Sequence, residues 1–216
     1  MSGLRGGRVQ DNRLKRDFFA RDGITVAKEL LGKILVHETK VGAVRGIITE
    51  VESYMGENDK GSHTYGGRRT ERTEPMYHAG GTSYVYLIYG MYSCMNIAAM
   101  TEGIPQAVLL RSVIPADEES GERMIQLRRE AAERRKRKPP SLEKHLADGP
   151  GKLCIAMGIT KEDNDVDMTE SSTFYVTEGI QVKPSEIHAA KRIGIDYAEE
   201  AADYLWRFYI GKGSLT

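Results

Sequence analysis

Polar and apolar side chains alternate most regularly between residues 83 and 88, where two tyrosines lie on one face of the segment and aliphatic residues lie on the other. A period of two is typical of a half-buried β-strand, and β character returns over residues 94–98. The two segments therefore predict a β-hairpin. Its expected tip consists of Tyr89, Gly90, Met91 and Tyr92.

Other parts of the chain are rich in β-branched or apolar residues and also predict strands. One begins at residue 34, and a second spans residues 42–56 and ends near Tyr54. A third covers residues 107–113, and an apolar run over residues 206–210 closes the chain.

Helical spacing of apolar residues predicts several helices between these strands. The first is capped by Thr25 and stopped by Gly32, since a hydroxyl caps well and glycine ends helices readily. A second carries Met124 and ends before two prolines at residues 139 and 140, and a third starts at Pro150. The same spacing recurs over residues 185–192 and 198–205.

Two segments lack a lasting period and predict loops. Residues 57–79 are rich in glycine and polar side chains, and loops of this length within a compact domain are usually functional. The charged sequence over residues 161–172 predicts a solvent-exposed loop. Strands in antiparallel groups with helices between them indicate one mixed α+β domain over residues 1–216, in which we expect residues 1–16 to be a flexible N-terminal segment.

The composition of the 216-residue chain excludes several classes of protein. The mean hydropathy is −0.46, and no apolar run approaches the about 18 residues that a membrane span needs. The first ten residues contain no apolar signal region, so we expect a cytoplasmic protein without membrane association. The cysteines, Cys94 and Cys154, lack close Cys or His companions, which predicts no disulfide framework and no structural metal. Nucleotide-cofactor and metallopeptidase motifs are absent, so no cofactor is expected.

Charge is segregated along the chain and balanced overall. Thirty-one basic and 31 acidic residues give a formal net charge of zero, which does not favour nucleic-acid binding. A basic run nevertheless occupies residues 123–138. Such a run is usually a solvated helix face, and contact with phosphate is the alternative. The candidates for phosphate contact are Arg128, Arg129 and Lys152.

Two acids lie on the predicted strand that ends near Tyr54. Glu50 and Glu52 are two residues apart, so both point to the same face in an otherwise apolar stretch. A half-buried acid is costly unless it is paired or used. A surface position, an ion pair with Arg45 or Arg111, or a general-base role would account for them.

The aromatic and amide side chains near these acids also have two interpretations. The tyrosines of the predicted hairpin are typical of a sheet core, whereas an apolar tip at a glycine turn is what minor-groove proteins insert between base steps. His63 is consistent with a solvated loop histidine. Asn96 lies in an apolar strand, where a buried amide needs partners for its donors and acceptors.

The chain resembles the alkyladenine (3-methyladenine) DNA glycosylase family. The resemblance is strongest over residues 50–98, EVESYMGENDKGSHTYGGRRTERTEPMYHAGGTSYVYLIYGMYSCMNIA. It extends in the same order from about Phe18 to Ile210 through LLRSVIP, GPGKLC, KRIG and LWRFYI. It implies a domain with a curved antiparallel sheet, surrounding helices and a protruding DNA-inserting hairpin, which binds damaged duplex DNA and flips one nucleotide out.

The resemblance also implies roles for individual residues. Glu52 matches the acid that deprotonates the attacking water, Arg111 matches the residue that helps hold the water, and the backbone carbonyl of Ile193 falls at a further water contact. Asn96 matches the residue that disfavours guanine. The matches to the walls of the base pocket are Tyr54, His63 and Tyr86, and the matches to the inserted tip are Tyr89, Met91 and Tyr92.

These roles are chemically consistent. An oxocarbenium-like sugar is stabilised by a nearby carboxylate, and a cationic alkylated purine leaves without a second acid. Aromatic rings attract cations, so the implied pocket should prefer alkylated over normal purines. We expect a monofunctional enzyme that acts as a monomer. A non-catalytic damage-binding module and an enzyme of free nucleosides remain alternatives. The sequence does not rank the possible damaged purines by preference as substrates.

The chain also departs from the family pattern in three places. It ends soon after residue 210, carries Gly61 where alanine is common, and has a longer segment between Asn96 and Arg111. We expect these departures to affect loop geometry rather than the catalytic set.

Overall fold

One antiparallel sheet of eight strands organises the residues that the computed structural model describes, which are 12–88, 90–136 and 145–211. The strands pair in the order β3-β4-β5-β2-β1-β6, and β8 joins β2 to β7. The sheet curls into a half-barrel, which confirms the mixed α+β class. The strands are β1 (Ile34–Thr39), β2 (Gly42–Tyr54), β3 (Ser83–Ile88), β4 (Tyr92–Ala99), β5 (Gln106–Pro115), β6 (Phe174–Thr177), β7 (Ile187–Ala190) and β8 (Arg207–Ile210).

Helices cover one face of this sheet and form the main core with it. Apolar residues of the second, fourth and fifth helices pack against the strands, with Leu30, Met124 and Leu153 fully buried. Burying side chains of this size stabilises the fold by about 1.5–3 kcal/mol each. The helices are α1 (Arg16–Phe19), α2 (Gly23–Leu30), α3 (Glu74–Tyr77), α4 (Glu118–Arg134) and α5 (Pro150–Met157).

An irregularity in β2 and β5 turns Glu52 away from the main core. Ile48 pairs with Val113 and belongs to the core, but the register then shifts and skips Thr49 on β2. Val51 therefore joins the core, and Glu52 points to the opposite face. Without the shift, the period of two would place Ile48 and Glu52 on the same side. The β-bulge thus decides which face of the sheet carries the acid.

Several local predictions were wrong because tertiary contacts outweigh local propensity. Residues 187–190 form β7 rather than a helix, since they pair with β8. Helix α2 is capped by Asp22, whose carboxylate accepts from two backbone N–H groups, and not by Thr25. The loop over residues 161–172, which was expected to be exposed, is partly buried, and Met168 is fully buried. Helix α4 ends at Arg134, before the described residues stop at 136.

The N-terminal segment is described from residue 12 onward. Leu14 is buried in the core, and its N–H donates to the carbonyl of Val176 at 2.9 Å. The part of the predicted flexible segment before residue 12 lies outside the described residues, as do Pro139 and Pro140. Within the described ranges, every helix is too short or too polar to cross a membrane.

Candidate active site

Glu52 lies on β2 behind a cavity and has no solvent exposure. Its Oε1 accepts a hydrogen bond from the backbone N–H of Ile193 at 2.8 Å and lies 3.2 Å from Nη1 of Arg111. Its Oε2 accepts from the Tyr54 hydroxyl at 3.0 Å. A carboxylate has about four acceptor positions. Two of them accept these hydrogen bonds and the Arg111 guanidinium faces Oε1, so Oε2 keeps one position for a further donor such as water.

The surroundings make Glu52 a stronger base than an ordinary glutamate. Burial raises the pKa of its carboxyl, while the charge of Arg111 and the hydrogen bonds from Ile193 and Tyr54 oppose that rise. Burial and the nearby Glu52 charge also raise the pKa of Tyr54 well above its usual value. Tyr54 therefore keeps its proton at neutral pH and remains a donor to Glu52.

Arg111 connects Glu52 to a second acid. Its Nε lies 3.3 Å from Oε1 of Glu50, and Nη1 of Arg207 donates to the same oxygen at 2.9 Å. Of the two arginines considered as ion-pair partners, Arg111 therefore contacts both acids, whereas Arg45 pairs with the carboxylate that caps α4. The structure therefore shows the ion pairs with Arg111, and the general-base role of Glu52 stays a prediction.

A cavity of about 350 Å³ opens in front of this cluster, which is within the range of small-molecule sites. All three groups that contact the Glu52 carboxylate line it. A larger cavity of about 710 Å³ lies between α4 and α5 and contains Met91 but none of the expected pocket residues. The expected site residues that line the smaller cavity are Tyr54, His63, Tyr86, Asn96, Arg111 and Ile193.

The aromatic walls of the smaller cavity are held edge to face. The His63 ring centroid lies 4.7 Å from that of Tyr86 at an interplanar angle of 73°, and its Nδ1 lies 2.8 Å from the Tyr84 hydroxyl. Burial, with the positive charges of Arg72 and Arg68, lowers the pKa of His63 to about 4. His63 is therefore neutral at pH 7 and belongs to the cavity wall rather than to a solvated loop.

Asn96 is fixed on β4 at the cavity wall. Only 4% of the residue is exposed, and Nδ2 donates to the backbone carbonyl of Tyr84 at 3.1 Å. This bond explains how a buried amide is tolerated in an apolar strand, because it satisfies one of the amide donors. The same bond holds the amide in a defined orientation beside the cavity.

A buried ion pair that the sequence did not indicate lies next to Glu52. Arg192 and Asp59 have fully buried side chains and bond through both nitrogens and both oxygens, at 2.5 and 2.7 Å. Arg192 also donates to the carbonyls of Ser53 and Ala201, and its guanidinium lies 4.8 Å from the centroid of the Tyr54 ring. The pair joins three chain segments directly behind the cavity. The KRIG motif contained one partner, but nothing in the sequence indicated the other.

Of the residues expected to insert into DNA, Met91 and Tyr92 do not line the smaller cavity. Met91 is exposed at the turn between β3 and β4, and Tyr89 lies outside the described residues. Tyr92 begins β4 and pairs with Ile88, so it belongs to the strand rather than to the tip, and the Arg135 guanidinium lies 4.8 Å from its ring centroid. The insertion of this turn into DNA stays a prediction.

The three candidates for phosphate contact differ in exposure. Arg129 is exposed, while Arg128 is only 7% exposed and points into the protein, so its guanidinium is not free at the surface. Lys152 pairs with Asp148 at 2.9 Å. Phosphate contact therefore stays a prediction that Arg129 fits best. In the described part of the chain, no group of three or more His, Cys, Asp or Glu side chains could hold a metal ion.

Comparison with known proteins identifies the family. Residues 17–214 match the model of a family described as Methylpurine-DNA glycosylase. Similar proteins named "Putative 3-methyladenine DNA glycosylase" occur in Clostridium acetobutylicum, with 52% identity over 92% of this chain and 94% of the relative, and in Clostridium novyi, with 48% identity over 92% and 94%. A relative of the same name from Clostridium botulinum is 46% identical over 92% of this chain and 95% of its own length. The chain therefore belongs to the methylpurine-DNA glycosylase family.

Proposed function

We propose that the protein hydrolyses the N-glycosidic bond of alkylated or deaminated purines in duplex DNA, after the damaged nucleotide has been flipped into the cavity of about 350 Å³. The observation that carries the proposal is the buried Glu52 carboxylate, which two hydrogen bonds and one ion pair orient and which keeps an acceptor position for water. Family membership supports DNA as the substrate.

The proposed reaction uses one water molecule and one carboxylate. Glu52 takes a proton from water as the water oxygen bonds to C1′ of the sugar, and the bond from C1′ to the purine nitrogen breaks with its electron pair going to the base. A purine alkylated on a ring nitrogen leaves as a neutral base without needing a proton. A deaminated purine leaves as an anion and takes a proton from solvent water. The products are the free base and an abasic sugar with a hydroxyl at C1′.

Arg111 and Ile193 have supporting roles in this proposal. The Ile193 N–H donates to Oε1 and the Arg111 guanidinium forms an ion pair with the same oxygen, so Oε2 is the oxygen that would accept from water. In this structure Ile193 contacts Glu52 through its N–H, whereas the expected contact between its carbonyl and water stays a prediction. The aromatic walls formed by Tyr54, His63 and Tyr86 would stack on the flipped base.

Replacing Glu52 by Gln tests the proposal. The amide keeps the shape of the side chain but cannot take a proton, so base release should fall by about 10²- to 10⁴-fold while binding to lesion-bearing duplex persists. Release is measured with defined duplexes, followed by alkali to cleave abasic sites. Unchanged release by the variant would reject the role of Glu52.

The wild-type protein distinguishes the other two functions. A damage-binding module would bind the duplex without releasing any base, and an enzyme of nucleosides would release base equally well from free alkylated nucleoside. Neither result is expected. A binding module does not need a buried carboxylate beside the cavity, and family membership supports DNA rather than a free nucleoside as the substrate.

The absence of lyase chemistry is part of the proposal. A lyase needs an amine nucleophile, and none of the described residues that line the cavity is a lysine. Borohydride should therefore trap no covalent adduct between the protein and lesion-bearing DNA. A trapped adduct would overturn the monofunctional assignment without affecting the assignment of a glycosylase.

A further inference from the structure

Arg72 brings a positive charge to the wall of the cavity. It lies in the segment between β2 and β3, lines the cavity beside Tyr86, and its guanidinium carbon is 5.1 Å from the centroid of the Tyr86 ring. Arg72 is solvent-exposed as a residue, and no carboxylate of the described residues lies within ion-pair distance of it. The neighbouring Arg69, by contrast, pairs with Glu74 and does not line the cavity.

The other arginine of the cavity contributes little net charge. Arg111 is paired with Glu50 and Glu52, which together carry two negative charges when both are ionised. Arg72 has no such compensation, and its charge contributes to the lowered pKa of His63 on the same wall. Solvent screens the charge of this exposed side chain, but Arg72 lines the cavity, so a base in the cavity would lie near its guanidinium.

Arg72 also affects the aromatic wall itself. A cation placed over an aromatic face interacts with the negative potential of the ring. Because the Arg72 guanidinium already interacts with Tyr86, this ring has less attraction left for a cationic base. The simple expectation that the aromatic pocket favours positively charged purines is therefore weakened in this protein.

We propose that Arg72 is a specificity-determining residue that shifts selection from cationic alkylated purines toward neutral purine lesions such as hypoxanthine. The inference rests on the proposed function, because it concerns the base that enters the same cavity. Arg72 repels a base with a positive charge on its ring and leaves a neutral base unaffected, or offers it a hydrogen-bond donor.

The test compares two kinds of substrate under single-turnover conditions. One is a duplex with hypoxanthine, and the other is DNA methylated with dimethyl sulfate, which carries cationic 3-methyladenine and 7-methylguanine. For Arg72→Gln, the ratio of the release rate for methylated bases to that for hypoxanthine should rise by about three- to tenfold over wild type. Arg72→Lys retains the charge and should keep the ratio closer to that of the wild type.

Arg69→Gln is the matched control, since it removes a nearby exposed positive charge that does not face the cavity. It should leave the ratio unchanged. An equal loss on both substrates with Arg72→Gln would mean that Arg72 only contacts phosphate, and an unchanged ratio would also overturn the inference. If the wild-type protein released neither base, the proposed function itself would fail, so the two failures are distinguishable.

Discussion

Two buried pairs of arginine and carboxylate lie side by side in this protein, and they differ in how completely the acceptor positions of the carboxylate are used. Arg192 and Asp59 form two mutual bonds, and Arg192 donates two more to backbone carbonyls. Asp59 also accepts from the backbone N–H groups of Met55 and Gly61. All four acceptor positions of the Asp59 carboxylate are therefore occupied, and we call Arg192 and Asp59 the closed pair.

The second pair, Arg111 and Glu52, is incomplete. It has one contact of 3.2 Å, and Arg111 is shared with Glu50. Glu52 keeps an acceptor position, and the three groups that contact its carboxylate all line the cavity. The difference separates a buried charge that holds chain segments together from one that is available for chemistry.

Removing one partner of the closed pair is expected to have the largest effect on stability. Arg192→Met leaves the Asp59 carboxylate buried without its ion-pair partner, which should lower the free energy of unfolding by about 3–5 kcal/mol. Urea unfolding followed by circular dichroism measures the change.

Glu52→Gln is the control for this comparison. Burial raises the pKa of Glu52 in the folded state, so ionising this carboxyl costs more in the folded protein than in the unfolded chain. The free energy of unfolding at neutral pH is therefore lower than it would be with an ordinary glutamate. Neutralising Glu52 should therefore change stability by less than about 1 kcal/mol or increase it slightly. Equal destabilisation by both variants would contradict the contrast between the pairs.

The pH dependence of base release provides the second test. Because Glu52 must be ionised to accept a proton and its pKa is raised, the release rate should fall as pH decreases through that raised pKa, approaching tenfold per pH unit below it. Tyr54→Phe removes a hydrogen bond that stabilises the ionised form and so raises the pKa of Glu52 further. The fall of the release rate at low pH, which we call the acid limb, should therefore begin at a higher pH.

The measurement is a pH series of single-turnover rates for the wild type and for Tyr54→Phe. A pH profile that does not change in the variant would mean that the Tyr54 hydroxyl does not influence the catalytic base. Loss of stacking between residue 54 and the base would, by itself, lower the rate at every pH without moving the acid limb.

The smallest expected effect concerns Gly61, which packs against the closed pair. An added Cβ would lie 2.9 Å from Nη2 of Arg192 and 3.1 Å from Cδ1 of Ile195. Four hydrogen bonds hold the guanidinium in place, so Gly61→Ala should destabilise the protein by about 1 kcal/mol. Urea unfolding would detect it, and unchanged stability would mean that the guanidinium can shift.

Strong local patterns were predictable from the chain, and weak ones were not. The strands around Tyr54 and Arg111 were predicted close to their observed positions, because β-branched residues dominate both segments. β7 was mistaken for a helix, since its four residues become a strand only through pairing with β8. The half-buried position of His63 depends on Tyr84 and Tyr86, which lie more than 20 residues away.

By itself, the sequence determined the mixed α+β class, the family and the residue types of the candidate site, because these follow from local periodicity and from motifs in a shared order. Only the tertiary structure decided which face of β2 carries Glu52, which arginine pairs with it, and which acid closes on Arg192. The physical reason is that a register shift and the pairing of buried charges depend on atoms far apart in the chain, for which no local pattern provides a signal.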